Sequence, residues 1–176
     1  MKNSGKIFEE DWKNSCPENI FIERFKDNMS VFDRTAKYAR ENICDYVMHD
    51  DLTSTLLLLE LKTTLGSSLT FWREDFDQDK KYEIRKNQIQ GLLKASKHNL
   101  SAGLIINFRS YENRTFYLDI RDFILFSEST NKKSINMRDV VDFGGIEIVS
   151  SKKRTRYRYD VNNLIEEILK YEESRC

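Results

Sequence analysis

Proline and glycine are scarce in this chain: one proline, Pro17, and six glycines among 176 residues. That composition leaves little for long flexible loops and predicts an ordinary domain rich in helix and strand. Cysteine is sparse as well. Cys16, Cys44 and Cys176 form no close pairs and leave one over, which argues against a disulfide framework and a cysteine-ligated zinc site, and for a reducing, cytoplasmic setting. Long apolar runs are missing, with only four residues in runs such as the leucines at 56–59, so no membrane span is expected. The opening MKNSGKIFEEDWK has no apolar signal core, and export is not expected. No glycine-rich loop points to nucleotide binding, and no repeat, linker or low-complexity tract divides residues 1–176 into more than one domain.

An excess of one charge is also absent, with 29 acidic and 29 basic residues. Neutrality weakens a nucleic-acid reading, because dedicated binders carry a basic surplus. The charges are nevertheless clustered. Residues 152–158 hold five cations, Lys152, Lys153, Arg154, Arg156 and Arg158, and a second basic set is Arg34, Lys37 and Arg40. Acidic residues gather at Glu166, Glu167, Glu172 and Glu173.

What is present is clear periodicity. Phe8 and Trp12 lie one turn apart in a helix predicted over 6–14, and their size and spacing make them core residues. A strand is predicted over 20–25, then a helix or arm over 34–42, then strands over 44–48 and 55–61 joined by the polar turn 49–53. Apolar residues at 84, 89, 92, 93 and 95 predict a helix over 81–99. Strands follow over 103–108 and 115–118, a short helix from Ser134 to Gly144-Gly145, and a late hairpin of 146–149 with 157–159. Asp160 caps a last helix striped by Val161, Leu164, Ile165, Ile168 and Leu169. The expected fold class is α/β, a mixed central sheet flanked by helices.

The chemistry gathers at LLLLELKTT, residues 56–64. Side chains alternate along a strand, so Glu60 and Lys62 share one face while Leu59 and Leu61 take the other. Two charges on a largely buried strand are costly unless paired or coordinated. Asp45, on the preceding strand, reaches Glu60 if the hairpin register permits. Two close carboxylates repel, and a hard divalent cation such as Mg²⁺ or Mn²⁺ relieves the repulsion. A lysine beside the metal can stabilise developing charge. The simpler alternative is a structural salt bridge at a sheet edge. For residues 152–158 the corresponding alternatives are phosphate contact and a solvated hairpin. For Arg34, Lys37 and Arg40 they are a DNA-engaging face and ordinary surface charge. Phe71-Trp72 can stack on an unpaired base. His49 and His98 are isolated and need no chemical explanation.

Asp45 followed fifteen positions later by Glu60-Leu61-Lys62 resembles the active site of the PD-(D/E)xK nuclease superfamily. More broadly, the chain resembles a divergent RecU-type Holliday junction resolvase, a family also known as penicillin-binding-protein-related factor A. Gly5-Lys6-Ile7-Phe8-Glu9-Glu10 is similar to that family's G-x-x-F-E-E start, and Asp45-Tyr46 to its D-Y. Glu60-Leu61-Lys62-Thr63 stands at its E-A-K-E-T, Asn87-Gln88-Ile89 at its H-Q-I, and Gly103 to Phe108 at its G-x-A-F-V strand. Tyr117-Leu118-Asp119 and Lys132-Lys133-Ser134-Ile135 are similar to its Y-L-L-D and K-S-I segments. The resemblance spans nearly the whole chain in consistent order.

It implies a restriction-endonuclease-like core and a Mg²⁺-dependent endonuclease, with Mn²⁺ able to substitute. Asp45, Glu60 and Gln88 would be metal ligands, Lys62 the transition-state cation and Glu9 an outer member of the site. Branched DNA would be the substrate, in recombination and repair, and a homodimer the working unit. Two departures stand out: Ile43 occupies the position of a threonine ligand, and only residues 26–43 are available for the family's long junction-engaging stalk. These departures leave two rivals, a nuclease of the same superfamily with another DNA substrate and a non-catalytic DNA-binding relative.

Overall fold

The computed structural model describes residues 4–25, 42–77 and 80–175. The first helix, α1 (Ser4–Lys13), buries Phe8 and Trp12 on one stripe, and strand β1 (Ile20–Arg24) follows. β2 (Tyr46–Asp50) and β3 (Thr55–Thr64) form an antiparallel hairpin with Tyr46 opposite Leu59. The turn between them closes around Asp50, which accepts hydrogen bonds from the Thr53 N–H (3.1 Å) and hydroxyl (2.6 Å) and from Asn19 Nδ2 (2.7 Å).

After the short β4 (Ser68–Thr70), α2 (Lys86–Ser96) crosses over to β5 (Ser101–Phe108). β5 runs parallel to β3, with Glu60 opposite Leu104 and Lys62 opposite Ile106. Next come β6 (Arg114–Asp119), α3 (Ile120–Ser129), β7 (Ser134–Asn136), α4 (Met137–Asp142) and β8 (Ile146–Glu147). The hairpin β9 (Ser150–Lys153) and β10 (Arg156–Tyr159) precedes the last helix, α5 (Val161–Glu173).

The main sheet runs in the order β1-β2-β3-β5-β6-β8 among the described residues, parallel only between β3 and β5. Alternation along the strands builds two cores. Leu57, Leu59, Leu61, Ile105 and Tyr117 face α1 and α5, meeting Phe8, Trp12, Leu164 and Ile168. Leu58, Leu104, Ile106, Phe116 and Leu118 belong to the other core, with Ile89 and Leu92 of α2 and Phe123 and Phe126 of α3. Burying each of the large apolar side chains contributes about 1.5–3 kcal/mol. This is the mixed, helix-flanked central sheet expected from the sequence, with the expected hairpin followed by a helix and a strand. No described helix is long and apolar enough to cross a membrane.

Several elements differ from expectation. The crossover helix starts at Lys86 rather than Lys81, because Ile84 is held in extended backbone by Thr70 O (2.9 Å) and Trp72 N (3.0 Å). α3 was not expected; Asp119 caps it by accepting from Arg121 N–H (2.8 Å), and Ile120, Phe123 and Phe126 form its buried stripe. Ser134 begins a strand paired with Thr70, not a helix. The helix follows Asn136, whose side chain accepts from Asp139 N–H while the Asp139 carboxylate accepts from Asn136 N–H. In the late hairpin Tyr159 pairs with Ser150, whereas Ile146 joins the main sheet against Tyr117. Phe71 is fully buried among Phe123 and Phe126, which removes it as a base-stacking surface. Arg34, Lys37 and Arg40, with the rest of residues 26–41 where the family resemblance expects a stalk, lie outside the described residues, as does Cys176.

Candidate active site

The hairpin register does what the spacing requires. Asp45 N–H donates to Leu59 O (3.1 Å), extending the β2–β3 ladder by one residue, and Leu61 N–H donates back to Asp45 Oδ2 (2.8 Å). Asp45 is thereby fixed across the strand from Glu60, and its Oδ1 accepts no hydrogen bond from the described residues. Glu60 points into the face covered by α2 and is 1% exposed. Its Oε1 receives both the Lys62 ammonium (2.7 Å) and the side-chain amide of Gln88.

Gln88 comes from the third position of α2, where its own oxygen accepts the Arg85 N–H (2.9 Å). That hydrogen bond ties the helix start to the hairpin carboxylate. In this arrangement Gln88 holds Glu60 through nitrogen, and its oxygen is committed to the helix cap. Gln88 therefore positions Glu60 in this arrangement.

Glu60 Oε2 is the exception in the site. It is buried and has no hydrogen-bond partner, an omission that costs about 1–3 kcal/mol in a protein interior. Burial pushes the Glu60 carboxyl up from 4.5 to about 7; Lys62 pulls it down and Asp45 adds to the rise. The site thus combines an orphaned carboxylate oxygen, a second carboxylate with a free oxygen, and an ammonium group 14% exposed at its side chain. Among the described residues no three His, Cys, Asp or Glu side chains converge on a metal position. The donor set suits a hard cation that takes one or two carboxylates and keeps several waters, as Mg²⁺ does. Asp45 Oδ1 and Glu60 Oε2 are the atoms that would hold it.

The other expected members lie around this centre. Glu9 pairs with Arg24 of β1 at 2.9 Å, and Arg24 stands opposite Tyr46, next to Asp45. Ile43 packs its backbone and Cβ against Gly91 of α2, where any β-carbon would come within 2.5 Å of the Ile43 Cβ. Asn87 Nδ2 donates to Asn42 O (2.9 Å), so two contacts hold the segment entering Asp45 against the helix. Cys44 is not a nucleophile: burial, then the Glu60 and Asp45 charges, push its thiol up to about 12.

The basic run divides into two groups. Lys152, Lys153 and Arg154 are exposed on the β9–β10 hairpin. Arg156 is engaged by Glu10 (2.9 Å) and by Asp11, so it clamps the hairpin to α1. Arg158 donates to Tyr157 O (3.1 Å) and is half-buried. Arg109, which no motif in the sequence marks, emerges just past β5 with its Nε buried and unpartnered.

The class that fold and site define is an α/β protein with two carboxylates and a lysine on one buried hairpin. No family model matches the chain. The chain is 27% identical over 186 aligned residues to the SPbeta prophage-derived uncharacterized protein YotM of Bacillus subtilis (strain 168), covering 98% of this chain and 90% of that protein. It is also similar to the structure of Hjc, a Holliday junction resolvase of the archaeal hyperthermophile Archaeoglobus fulgidus. There the TM-score is 0.46 and the identity 14%, over 81% of this chain and 90% of that one.

Proposed function

We propose that the chain is a divalent-metal-dependent DNA endonuclease of the Holliday junction resolvase type, using Mg²⁺, with Mn²⁺ able to substitute. It acts as a homodimer in the cytoplasm, where two symmetric sites cut opposed strands of a branched substrate. The single observation that carries this reading is Glu60. A buried carboxylate held by Lys62 and Gln88, with one oxygen left unpartnered beside Asp45, is costly as a structural device and useful as half of a cation site.

A bound cation would supply Lewis-acid polarisation of the phosphate and lower the pKa of an attacking water. The residues of the chain have separate tasks. Leu61 N–H fixes the Asp45 carboxylate, and Gln88 fixes that of Glu60. Lys62, anchored on Glu60 Oε1, places its ammonium where negative charge grows as water adds to phosphorus and the bond to the leaving sugar oxygen breaks. Glu9, at the rim, acts through Arg24 on the strand beside Asp45. Lys152, Lys153 and Arg154 provide phosphate contacts away from the reacting centre.

The test is cleavage of a mobile four-way junction and of linear duplex with the same arms, with Mg²⁺ and with EDTA. Metal-dependent symmetric nicks confined to the junction, lost in folded Lys62→Ala, are expected. Equal cutting of linear duplex rejects the resolvase reading in favour of another nuclease substrate. DNA binding without metal-dependent cutting in the wild type points to the non-catalytic relative.

A further inference from the structure

Beyond the end of β3, on the sheet face opposite Lys62, lies a half-open cavity of about 140 Å³ between α1, the strand ends and the β9–β10 hairpin. Thr63, Asn107, Arg109, Thr155 and Tyr157 are among its lining residues. Its interior amides are already satisfied. Asn107 accepts from the Thr63 hydroxyl (2.8 Å) and donates to Asn113 O (3.2 Å) and the Thr115 hydroxyl (2.9 Å). Asp11, also in the wall, is neutralised by Arg156 and by the Tyr157 N–H at 3.2 Å.

Arg109 is the group left over. Its Nε is buried with no acceptor, and no acidic side chain among the described residues pairs with it. An Nε–H shielded from water and given no acceptor is costly, and the planar guanidinium donors fit phosphate oxygens. The cavity holds several times the about 30 Å³ that one water occupies, enough for a phosphate group with part of its hydration. Exposed Lys152, Lys153 and Arg154 lie on the same hairpin as Thr155 at its mouth.

We propose that this cavity binds a backbone phosphodiester of the DNA substrate, with Arg109 as its cation. The inference rests on the nuclease reading and names a contact within it. Arg109 N–H bonds Thr64 O (2.9 Å), two residues past Lys62 on the same strand. From the β3–β5 register, the backbone positions of Lys62 and Arg109 are offset by three residues along the strand direction, about 10 Å at about 3.3 Å per residue, and their side chains leave opposite faces of the sheet. The cavity therefore holds the DNA backbone away from the reacting centre, where positioning contacts set register without touching the chemistry.

The test is fluorescence anisotropy of a labelled duplex with the Lys62→Ala chain in EDTA, repeated across salt concentrations, so that cleavage plays no part. Adding Arg109→Gln is expected to weaken binding severalfold and to make the log-affinity against log-salt slope shallower by about 1, the loss of one phosphate contact. Arg109→Lys, which keeps the charge, is expected to keep the slope. Thr155→Glu, exposed at the cavity mouth, decides the question if Arg109→Gln does not fold, and is expected to weaken binding by repelling the phosphate. Unchanged affinity and slope in the folded variants overturn the proposal, whether or not inorganic phosphate competes for the cavity. Failure of the nuclease reading looks different: Arg109→Gln still changes the slope, but the wild type cuts nothing with Mg²⁺.

Discussion

Asp50 and Glu60 sit ten positions apart in one hairpin and are both nearly inaccessible to water, at 3% and 1% exposed. Their surroundings differ in kind. Burial pushes Asp50 up, but the hydrogen bonds from Thr53 and Asn19 outweigh it and hold the carboxyl below its usual 3.8. Both of its oxygens accept, and the result is a closed turn with nothing left to bind. At Glu60 burial wins: one oxygen carries Lys62 and Gln88, and the other carries nothing. The contrast shows that burial alone does not mark a site. The mark is a buried acid whose coordination is left incomplete.

Glu60→Gln and Asp50→Ala put the contrast to its largest test. In Mg²⁺ the first is expected to lower cleavage at least about 10³-fold, or about 4 kcal/mol in barrier. The second, measured on folded protein, is expected to leave the rate unchanged; equal losses in both would end the distinction.

Stability against pH is the next test, and the two acids have opposite signs. Folded Glu60 keeps its proton to about 7, whereas the unfolded chain releases it near 4.5. Its contribution is therefore complete below about 4.5 and is lost as pH rises to about 7, on the order of 3 kcal/mol. Asp50 contributes above its ordinary 3.8 and loses that contribution as pH falls through its lowered value. Urea unfolding of metal-free protein from pH 5 to 8 is expected to show the Glu60 fall. Glu60→Gln flattens it, and added Mg²⁺ offsets it by binding the ionised form.

Asp50→Ala strands the Thr53 N–H and the Asn19 amide, and denaturant titration at neutral pH is expected to show a loss of about 2 kcal/mol. The smallest effect belongs to Gly91→Ala. Better helix propensity offsets part of the clash with Ile43, leaving a net cost of about 1 kcal/mol in thermal melts. Cleavage is expected to fall by more than that cost implies, since the displaced segment carries Asp45.

The sequence shows the Glu60 side of the comparison better than the Asp50 side. Alternation through the leucines places Glu60 and Lys62 together on one face, and Asp45 lies at the residue that the hairpin register brings across from them. Gln88 is legible as a neighbour only through the family resemblance; its binding through nitrogen depends on the cap it makes with Arg85. Asp160 announces α5 and accepts from Asn163 N–H (3.1 Å). α3 carries the same kind of signal, an Asp119 cap and a stripe at 120, 123 and 126, but follows its strand without an intervening loop. Ser134 reads as a cap because nothing local reveals its partner, Thr70, more than sixty residues away. Arg109 has no local signature either, since its isolation comes from what three distant elements fail to place beside it.

The parallel pairing of β3 with β5 also orders the events of folding. Asp45, Glu60 and Lys62 belong to a short-range hairpin, which a chain forms on the microsecond scale. Gln88 and the cover over Glu60 come with the crossover through α2, a longer loop to close and a later step. In the nascent hairpin the Glu60 and Lys62 charges are therefore still hydrated. Their dehydration falls in the step that docks α2, which makes covering of the Glu60–Lys62 hairpin a late cost in folding and ties the site's completion to that of the sheet.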